Sequence, residues 1–427
     1  MRRSPVAGRA GWTLADQAVS SAGNFALGLI LARTLSRAEF GAFSLAFAAY
    51  LLILGASRAL GSSVLQVRFT AVDPTAQRAA VRDATGLPVI VGLVVLVPML
   101  LVAAVVRPLV GEALVALAVV LPGLLLQDAW RYALFSAGRA RSAAANDAVW
   151  ILVEFPLLGA LIALDQISVT SAVLAWGGGA YVASIAGILQ LGELPSLPGG
   201  TRWVRQHRDL GLPTLGEFLL LTGTWPALLF IAGGVAGLED AGALRAAEIL
   251  LGPFNILFTG AVLLAVPEGA RVYAVEPARL PRMLELGGLA CAALALVAGA
   301  VWFLVPRGVG EAVVGPNWDA ARPVVAPLSL HFAAAALMVS WMAGLRILEA
   351  AHDALVIRVA LTPMYLVSAS FGLLVGGPVG LALGTAAVSV GGAAVIRRAF
   401  RRCFSARLAA GPPLGVHVSQ PSGWERP

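Results

Sequence analysis

The stretch that decides the fold lies between residues 86 and 136. Residues 86–106 read GLPVIVGLVVLVPMLLVAAVV and residues 113–136 read ALVALAVVLPGLLLQDAWRYALFS, with Arg107-Pro108 in the turn between them. A helix needs about 20 apolar residues to cross a hydrocarbon core that is ~30 Å thick. The two runs therefore predict two membrane-spanning helices joined by a tight turn.

The rest of the chain has the same character. Of its 427 residues, 59% are hydrophobic and 12% are charged, whereas a soluble domain has roughly half and roughly a quarter. A soluble fold could not cover so much apolar surface with so few charges, so lipid is the solvent for most of the chain. We predict an all-α polytopic membrane protein with about twelve transmembrane helices. The predicted spans are 12–32, 41–63, 86–106, 113–136, 146–164, 169–191, 213–236, 242–264, 285–305, 324–345, 354–375 and 378–396.

Arginine positions test the number and direction of these spans. All 30 basic residues are arginine, and basic loops face the cytoplasm in most membrane proteins. With the N-terminus inside, 22 arginines fall in inner segments, Arg346 and Arg358 among them, and five fall in outer loops. A wrong number of spans would scramble this alternation. We therefore predict a multi-pass protein with both termini in the cytoplasm.

The largest predicted inner loop divides the chain. Residues 193–212 are rich in Pro, Gly and Arg and follow the sixth span. We predict that they form a cytoplasmic linker between two six-helix bundles, at 1–192 and 213–402, as expected for internal repeats. The tail at 403–427 is largely Pro, Gly and Ser from residue 409 onward and is predicted to be disordered.

Motifs for catalytic chemistry are absent from the sequence. It contains no GxxxxGK[ST], HExxH or GxSxG pattern, and its two cysteines, Cys291 and Cys403, lack metal-ligand spacing. The net charge of +7 would suggest nucleic-acid binding in a soluble protein. In a membrane protein the position of the charge matters more than its sum. We expect no enzyme activity, no cofactor, no metal and no nucleic-acid partner.

Polar residues inside the first span fall on one face. An ionisable side chain within a span costs about 2.5–3.5 kcal/mol on insertion scales, so each is a candidate functional residue. The residues on this face are spaced four apart: Asp16, Ser20, Asn24 and Gly28. The face lines either an aqueous cavity or a helix–helix contact, and the sequence leaves both open. Asp16 is a candidate for ion coupling.

The second and fourth spans carry further charges. Arg58 lies toward the cytoplasmic end of the second span, where it can bind an anion or extend to the headgroups. The fourth span ends with Gln127, Asp128 and Arg131. Asp128 and Arg131 are three residues apart and can pair across one helical turn. Such a pair is either structural or part of a binding site.

The second half of the chain offers two more groups. Arg245, Glu248 and Asn255 form one stripe of the eighth span, in which the first two are an ion pair or contact a substrate. Glu217 in the seventh span and His331 in the tenth are candidates for ion coupling. A lone histidine among alanines is more often a packed, hydrogen-bonded residue than a proton carrier.

Three stretches resemble a known family. They are residues 16–41, with DQAVSSAGNF followed by LAR and EFG; residues 127–139, with QDAWRY and GR; and residues 244–255, with LRAAE and LGPFN. These resemble the first, fourth and eighth helices of O-antigen type (Wzx-like) polysaccharide flippases. That family belongs to the multidrug/oligosaccharidyl-lipid/polysaccharide exporter (MOP) superfamily. Glu248 departs from the common pattern, which has glutamine at this position.

The resemblance implies a pair of six-helix bundles around a central cavity. Such a protein would carry a polyprenyl-pyrophosphate-linked oligosaccharide from the inner to the outer leaflet of the bacterial cytoplasmic (inner) membrane. Its partners would be this substrate, membrane lipids, and a polysaccharide polymerase or glycosyltransferases. Arginine suits pyrophosphate because it is always charged and can hold two oxygens at once. The predicted substrate-binding residues are Arg58 and Arg131 for the pyrophosphate, Asn24, Gln127 and Asn255 for sugar hydroxyls, and Asp128, Arg245 and Glu248 beside them.

Two alternatives remain open. A multidrug or lipid exporter of the same fold would favour carboxylates over arginines in its cavity, because its substrates are usually cationic. A membrane glycan polymerase or ligase would need outward-facing catalytic residues on a sizeable outer loop. The longest predicted outer loop, 306–323, is modest. Arginine placement and short outer loops therefore favour the flippase.

Overall fold

The computed structural model describes the backbone of residues 5–70 and 72–410. It describes the side chains from residue 19 onward, except at positions 71, 221, 256, 259, 260, 262–264, 351 and 410. Every regular element in these ranges is helical. The helices are α1 (Pro5–Thr34), α2 (Arg37–Ser57), α3 (Ser63–Phe69), α4 (Pro74–Val105), α5 (Pro108–Ser136), α6 (Ala140–Ala163), α7 (Val169–Leu191), α8 (Leu197–Gln206), α9 (Arg208–Leu221), α10 (Thr224–Val235), α11 (Leu238–Leu250), α12 (Gly252–Val275), α13 (Leu280–Leu304), α14 (Arg307–Val314), α15 (Trp318–Ile347) and α16 (Ala351–Ala410).

The all-α polytopic fold predicted from the sequence is confirmed. Among the described residues, eight helices are long and apolar enough to cross a membrane, and the bent pair α9–α10 would be a ninth. One of the eight, α16, contains the last two predicted spans, 354–375 and 378–396. The predicted spans 12–32 and 242–264 lie on α1 and across α11–α12. The division into two six-helix bundles stays a prediction.

One helix shows how the fold meets lipid. The apolar core of α4 is mostly exposed, whereas that of α5 behind it is mostly buried. A soluble protein rarely exposes a continuous apolar face of this length. The exposed residues of α4 include Leu93, Val94, Val97, Leu101 and Val105.

Polar caps fix where two of the spans begin. The Ser36 side chain accepts a hydrogen bond from the Glu39 backbone N–H, and the Glu39 carboxylate accepts one from the Ser36 backbone N–H. This capping box starts α2. Asp73 starts α4 by accepting from the backbone N–H groups of Thr75 and Ala76. The caps satisfy N–H groups that have no partner within the helix, which is costly near a medium without water.

Several spans are interrupted. Arg58–Ser62 form a turn of π-helix between α2 and α3, and α9 and α10 meet at a 51° bend. A break at Leu251 separates α11 from α12. In α16 the break falls at Gly376-Gly377, where Gly377 has φ 57°, a conformation that glycine adopts without strain. The spans predicted from the sequence included only this last interruption, as a turn between two helices.

The linker between the two halves of the chain contains an amphipathic helix. Trp203 of α8 is fully buried, and its indole N–H donates to the Leu60 carbonyl at 3.2 Å. Leu60 lies in the π-helical turn, where the altered register leaves carbonyl groups available. Two predictions are corrected here. Residues 193–212 are partly helical rather than a loop, and the predicted disordered tail is helical as far as Ala410, while residues 411–427 lie outside the described ranges.

Arg68 holds the end of this linker. Its guanidinium donates to His207 Nδ1 at 2.9 Å and to Asp209 Oδ1 at 3.2 Å. Because arginine has no acceptor, Nδ1 must accept, and the proton of the neutral ring lies on Nε2. Burial and the neighbouring Arg68 lower the pKa of His207, so the ring is neutral at pH 7.

The two halves meet closely where α2 crosses α11. A Cβ atom built on Gly41 would lie 1.9 Å from the Leu238 carbonyl oxygen, so only glycine fits. The Arg37 guanidinium pairs with the Glu239 carboxylate at 3.0 Å beside this crossing. Nearby, the Asn317 side chain donates to the Ala32 carbonyl at 2.7 Å. These contacts join the ends of α1 and α2 to the second half of the chain.

We predict that Gly41→Ala destabilises the protein by about 1–3 kcal/mol, because the added methyl group overpacks the crossing. The matched control is Gly159→Ala in α6, where an added Cβ has nothing within 4 Å. Thermal unfolding of the purified protein in detergent measures both. A midpoint for Gly41→Ala equal to that of the control would show that α2 and α11 do not cross this closely.

Candidate functional site

The predicted functional residues fall into three regions of the described structure. The first is a buried polar network in the first half, which we call the first-half network. The second is a cavity between α1 and α11–α12, the seam cavity. The third is a cavity among α9, α10, α15 and α16, the second-half cavity. The first-half network consists of Arg58, Gln127, Asp128, Arg131, Asn146 and Asp147.

Arg58 and Asp128 form a bidentate ion pair. Nη2 of Arg58 lies 2.6 Å from Oδ1 of Asp128, and Nε lies 2.9 Å from Oδ2. The guanidinium also stands over the Tyr132 ring, 5.4 Å from its centroid. Asp128 is almost fully buried, whereas about a third of the Arg58 side chain is exposed. The pair therefore links the π-helical turn to α5, and one edge of Arg58 remains open to solvent or a ligand.

Arg131 pairs with a residue that the sequence analysis did not single out. Its Nε lies 3.3 Å from Oδ2 of Asp147 on α6, and both side chains are buried. Gln127 donates to Oδ1 of Asp147 at 2.8 Å and to Oδ1 of Asn146 at 3.2 Å. Charged partners from two helices thus offset the cost of burying each other. Asn146 and Asp147 are the first two residues of the predicted span 146–164, where polar residues are common, so they were not singled out.

The seam cavity is the meeting point of the first and eighth predicted spans. It has a volume of about 250 Å³ and a mixed polar and apolar lining. Four of the predicted substrate-binding residues line it: Asn24 from the first half, and Arg245, Glu248 and Asn255 from the second. The sequence therefore identified most of its polar lining. The remaining lining residues are Ser21, Phe25, Ile249 and Gly252.

Arg245 and Glu248 are the charged groups of the seam cavity. Nη1 of Arg245 donates to Oε2 of Glu248 at 2.7 Å, and the same oxygen accepts from the Trp225 indole at 3.1 Å. The Arg245 guanidinium also lies over the Phe47 ring, 4.6 Å from its centroid. The two charges therefore form an ion pair, one of the two alternatives left open by the sequence. The break at Leu251 places Asn255 on the next helix.

A small cavity in the first half contains a carboxyl group that the sequence analysis missed. Glu154 of α6 is 4% exposed, and its Oε1 has no hydrogen-bond partner among the side chains and backbone that the structure describes. It lines the cavity with Asn24 of α1, Trp150 and Asp147. Its signal in the sequence was a single acid in the middle of the apolar run 146–164. A buried carboxyl group without a partner is costly unless neutral or bound, so it is a functional candidate.

His331 is part of a hydrogen-bonded group in the second-half cavity. Its Nδ1 lies 2.7 Å from Ser389 Oγ, and the Tyr365 hydroxyl lies 2.7 Å from the same oxygen. The Ser389 hydroxyl donates to the Thr385 carbonyl at 2.9 Å. The single hydroxyl proton of Ser389 is thereby used, so His331 Nδ1 and Tyr365 both donate to its oxygen. The His331 ring stacks on Trp225 with an angle of 14°.

The other two candidates for ion coupling are Glu217 and Asp16. Glu217 is exposed on α9 and lies 3.8 Å from Arg346 in a solvent-accessible ion pair. It does not line the second-half cavity. The Asp16 side chain lies outside the described residues. Among the residues that the structure describes, no cluster of three metal-ligating side chains occurs.

We predict that Arg58→Leu destabilises the protein by about 3–5 kcal/mol, because it leaves Asp128 buried without its partner. The double variant Arg58→Leu/Asp128→Leu is expected to recover most of that loss, since both charges are removed. Thermal midpoints of the two single variants and the double variant measure the coupling. If the double variant loses the sum of the two single effects, the pair does not contribute to folding.

We predict that Glu154→Gln folds with a thermal midpoint no lower than that of the wild type. The change removes a buried charge without breaking a pair. The matched change Asp147→Asn is expected to lower the midpoint, because it removes the charge of the carboxylate that pairs with Arg131. A lower midpoint for Glu154→Gln would show that Glu154 has a stabilising partner.

Comparison with known proteins gives a result for the fold only. No protein-family model and no curated protein sequence matches the chain significantly. A multidrug resistance MATE family transporter of the MOP superfamily, in an inward-facing conformation, superposes with a TM-score of 0.70 at 15% identity over 93% of this chain and 96% of that chain. The lipid II flippase MurJ, in an inward closed conformation, gives 0.70 at 9% identity over 91% and 88%.

A third structure with this fold is a MOP superfamily transporter from Pyrococcus furiosus. It superposes with a TM-score of 0.60 at 15% identity, over 95% of this chain and 97% of that chain. All three comparisons cover nearly the whole of both chains, so the similarity is not confined to a few helices. The chain therefore has the fold of MOP superfamily transporters.

Proposed function

We propose that the chain flips a polyprenyl-pyrophosphate-linked oligosaccharide from the inner to the outer leaflet by alternating access, for cell-surface polysaccharide synthesis. One observation carries the proposal: a polar cavity lies at the seam between the two halves of a membrane-embedded fold. Its amides, on Asn24 and Asn255, suit sugar hydroxyls, which need both donors and acceptors.

The charges of the cavities support an anionic or neutral polar cargo. The charged groups lining the seam cavity are Arg245 and Glu248, which neutralise each other. The second-half cavity is lined by Arg358 and His331, and none of the described residues that line it is a carboxylate. A cationic drug would meet no excess negative charge in either place. A pyrophosphate group would meet arginine, which can hold two of its oxygens at once.

The contacts between α2 and α11 support a conformation closed at one end. The Gly41–Leu238 crossing and the Arg37–Glu239 ion pair lie at helix ends that we predict to face outside. In the proposed cycle these contacts open when the cargo leaves, and the opposite end closes. An isolated surface ion pair contributes about 1 kcal/mol or less, so such a contact can break and re-form readily.

The role predicted for Arg58 and Arg131 changes in the light of their partners. Each already has a carboxylate partner, Asp128 and Asp147 respectively. Arg131 is buried, and we propose that it holds α5 against α6 rather than binding cargo. Arg58 has an exposed edge, and a pyrophosphate could share it with Asp128. Gln127 is also buried within the network, so we propose a structural role for it.

The proposed setting follows from the proposed cargo. We place the chain in the bacterial cytoplasmic membrane with both termini inside, because the arginines are concentrated in segments of one side. A polysaccharide polymerase or glycosyltransferases would then act on the cargo before and after flipping. The chain itself carries out no covalent step in this proposal.

A multidrug exporter is the second candidate function. The MATE transporter and the lipid II flippase superpose equally well, each with a TM-score of 0.70. The one feature that favours a cationic cargo is Glu154, a buried carboxyl group in a cavity beside Asn24. That cavity is far smaller than the seam cavity, at about 20 Å³ against about 250 Å³. The larger, polar cavity therefore favours the glycan carrier.

We predict that deleting the gene in its native host makes lipid-linked oligosaccharide accumulate on the cytoplasmic face, with loss of surface polysaccharide. The intact gene should restore export, and so should the Gly159→Ala control, whereas Asn24→Ala/Asn255→Ala should restore it at least tenfold less. Lectin accessibility in intact and inverted vesicles measures the sidedness. Glycan that reaches the outer leaflet unpolymerised would instead identify a polymerase, and unchanged glycans with lost drug resistance would identify an exporter.

A further inference from the structure

The second-half cavity has features that the proposed function has not used. Its volume is about 220 Å³, and it runs between α10, α15 and the two parts of α16. Pockets for drug-sized ligands are usually about 300–1,000 Å³. This cavity is therefore large enough for a headgroup or a short apolar segment.

Arg358 at the inner end of this cavity differs from the other arginines within the spans. Arg58, Arg131 and Arg245 each pair with a carboxylate within 3.3 Å. In the described part of the chain no carboxylate lies within 4 Å of the Arg358 guanidinium, although it lines the cavity. Glu217, an acid whose charge acts on Arg358, is paired with Arg346. An uncompensated positive charge in a cavity attracts an anion.

The structure adds a cavity to what the sequence shows for this residue. Arg358 was grouped with the arginines of the inner segments. In the structure it lies on the second turn of α16, inside the bundle and beside the bend between α9 and α10. The number of arginines on each side identifies the direction of the helices but gives no depth for any single residue. Arg358 therefore lines a cavity from a helix that is long and apolar enough to cross a membrane.

The lining of the cavity is amphipathic. Part of the wall is apolar, from Met338, Met342 and Leu361, and Met338 Sδ lies 3.5 Å from the Tyr365 hydroxyl. The far end carries the hydrogen-bonded group of His331, Tyr365 and Ser389 described above. A ligand held here would place its charge at the guanidinium and its apolar portion along the methionines, which adapt their shape to irregular ligands.

We propose that the second-half cavity binds the phosphate or pyrophosphate headgroup of an anionic amphiphile through Arg358. The inference rests on the proposed function in one respect: the amphiphile is taken to be the lipid carrier of the cargo. The site is placed toward the side that we predict to be cytoplasmic, where a lipid-linked precursor would arrive. Arg358 can donate two parallel hydrogen bonds to phosphate oxygens, which Lys or Gln cannot.

The two cavities share one side chain. The Trp225 ring lines the second-half cavity and stacks on His331, while its indole N–H donates to Glu248 in the seam cavity. The Trp225 side chain is therefore a wall common to the two cavities. In the proposed arrangement the headgroup stays at Arg358 while the attached sugars occupy the seam cavity.

Equilibrium binding of tritiated farnesyl pyrophosphate to the purified full chain in detergent tests this site. The wild type should bind it saturably, and Arg358→Gln should weaken the Kd at least tenfold. The matched control is Arg346→Gln, a neighbouring arginine that is exposed and paired with Glu217, and it should change the Kd less than twofold. Farnesol, which lacks the anion, should bind wild type and Arg358→Gln equally.

Each result decides the proposal. No saturable binding by the wild type, an unchanged Kd for Arg358→Gln, or equal losses for both arginine variants would overturn it. Monodisperse elution in size-exclusion chromatography checks that each variant folds. If Arg358→Gln does not fold, Arg358→Lys is used instead, because it keeps the charge but not the two parallel donors. Arg358→Lys should weaken binding more than the control Arg346→Lys. If binding depends on Arg358 but the protein does not flip glycans, only the proposed function is refuted. If Arg358→Gln flips glycans normally, only the Arg358 site is refuted.

Discussion

The structure depends on how charge is kept inside a membrane-embedded fold. A lone ion in a low-dielectric interior costs several kcal/mol, and a partner with good geometry offsets that cost. The protein solves this by pairing: Arg58 with Asp128, and Arg131 with Asp147. Because these partners come from different helices, each pair also fixes how those helices pack. The residues that do not follow this rule are then the informative ones, and Glu154 and Arg358 are the two that stand out.

The sequence could predict the helices but not the partners. Long apolar runs identify a span wherever they occur, so each predicted span lies on helix in the structure. The sequence allowed Asp128 to pair with Arg131 on its own helix but gave no sign of its bond to Arg58, which is 70 residues away. Only packing brings such residues together. The breaks at Arg58–Ser62 and Leu251 were also missed, because hydropathy does not change there, and Glu154 was hidden by the apolar run around it.

The fold and the cavities carry different parts of the functional argument. Similarity to the MATE transporter and the lipid II flippase defines the architecture, and at 15% and 9% identity it says nothing about cargo. The cargo has to be argued from the chemistry of the lining. Amides at the seam suit a glycan, and the uncompensated Arg358 in the neighbouring cavity suits a phosphate. Both features belong to one amphipathic molecule with a sugar portion, an anionic linkage and an apolar tail.

The most direct measurement of the central claim is flipping by the purified protein alone. The chain is reconstituted into liposomes that contain a fluorescent polyprenyl-pyrophosphate oligosaccharide, and the fraction open to an external glycosidase is followed with time. The experiment is done with and without an imposed ion gradient. The account predicts that, under at least one of these conditions, the protected oligosaccharide becomes accessible to the glycosidase only in liposomes that contain the protein. A protected fraction that is equal with and without the protein under both conditions would contradict it.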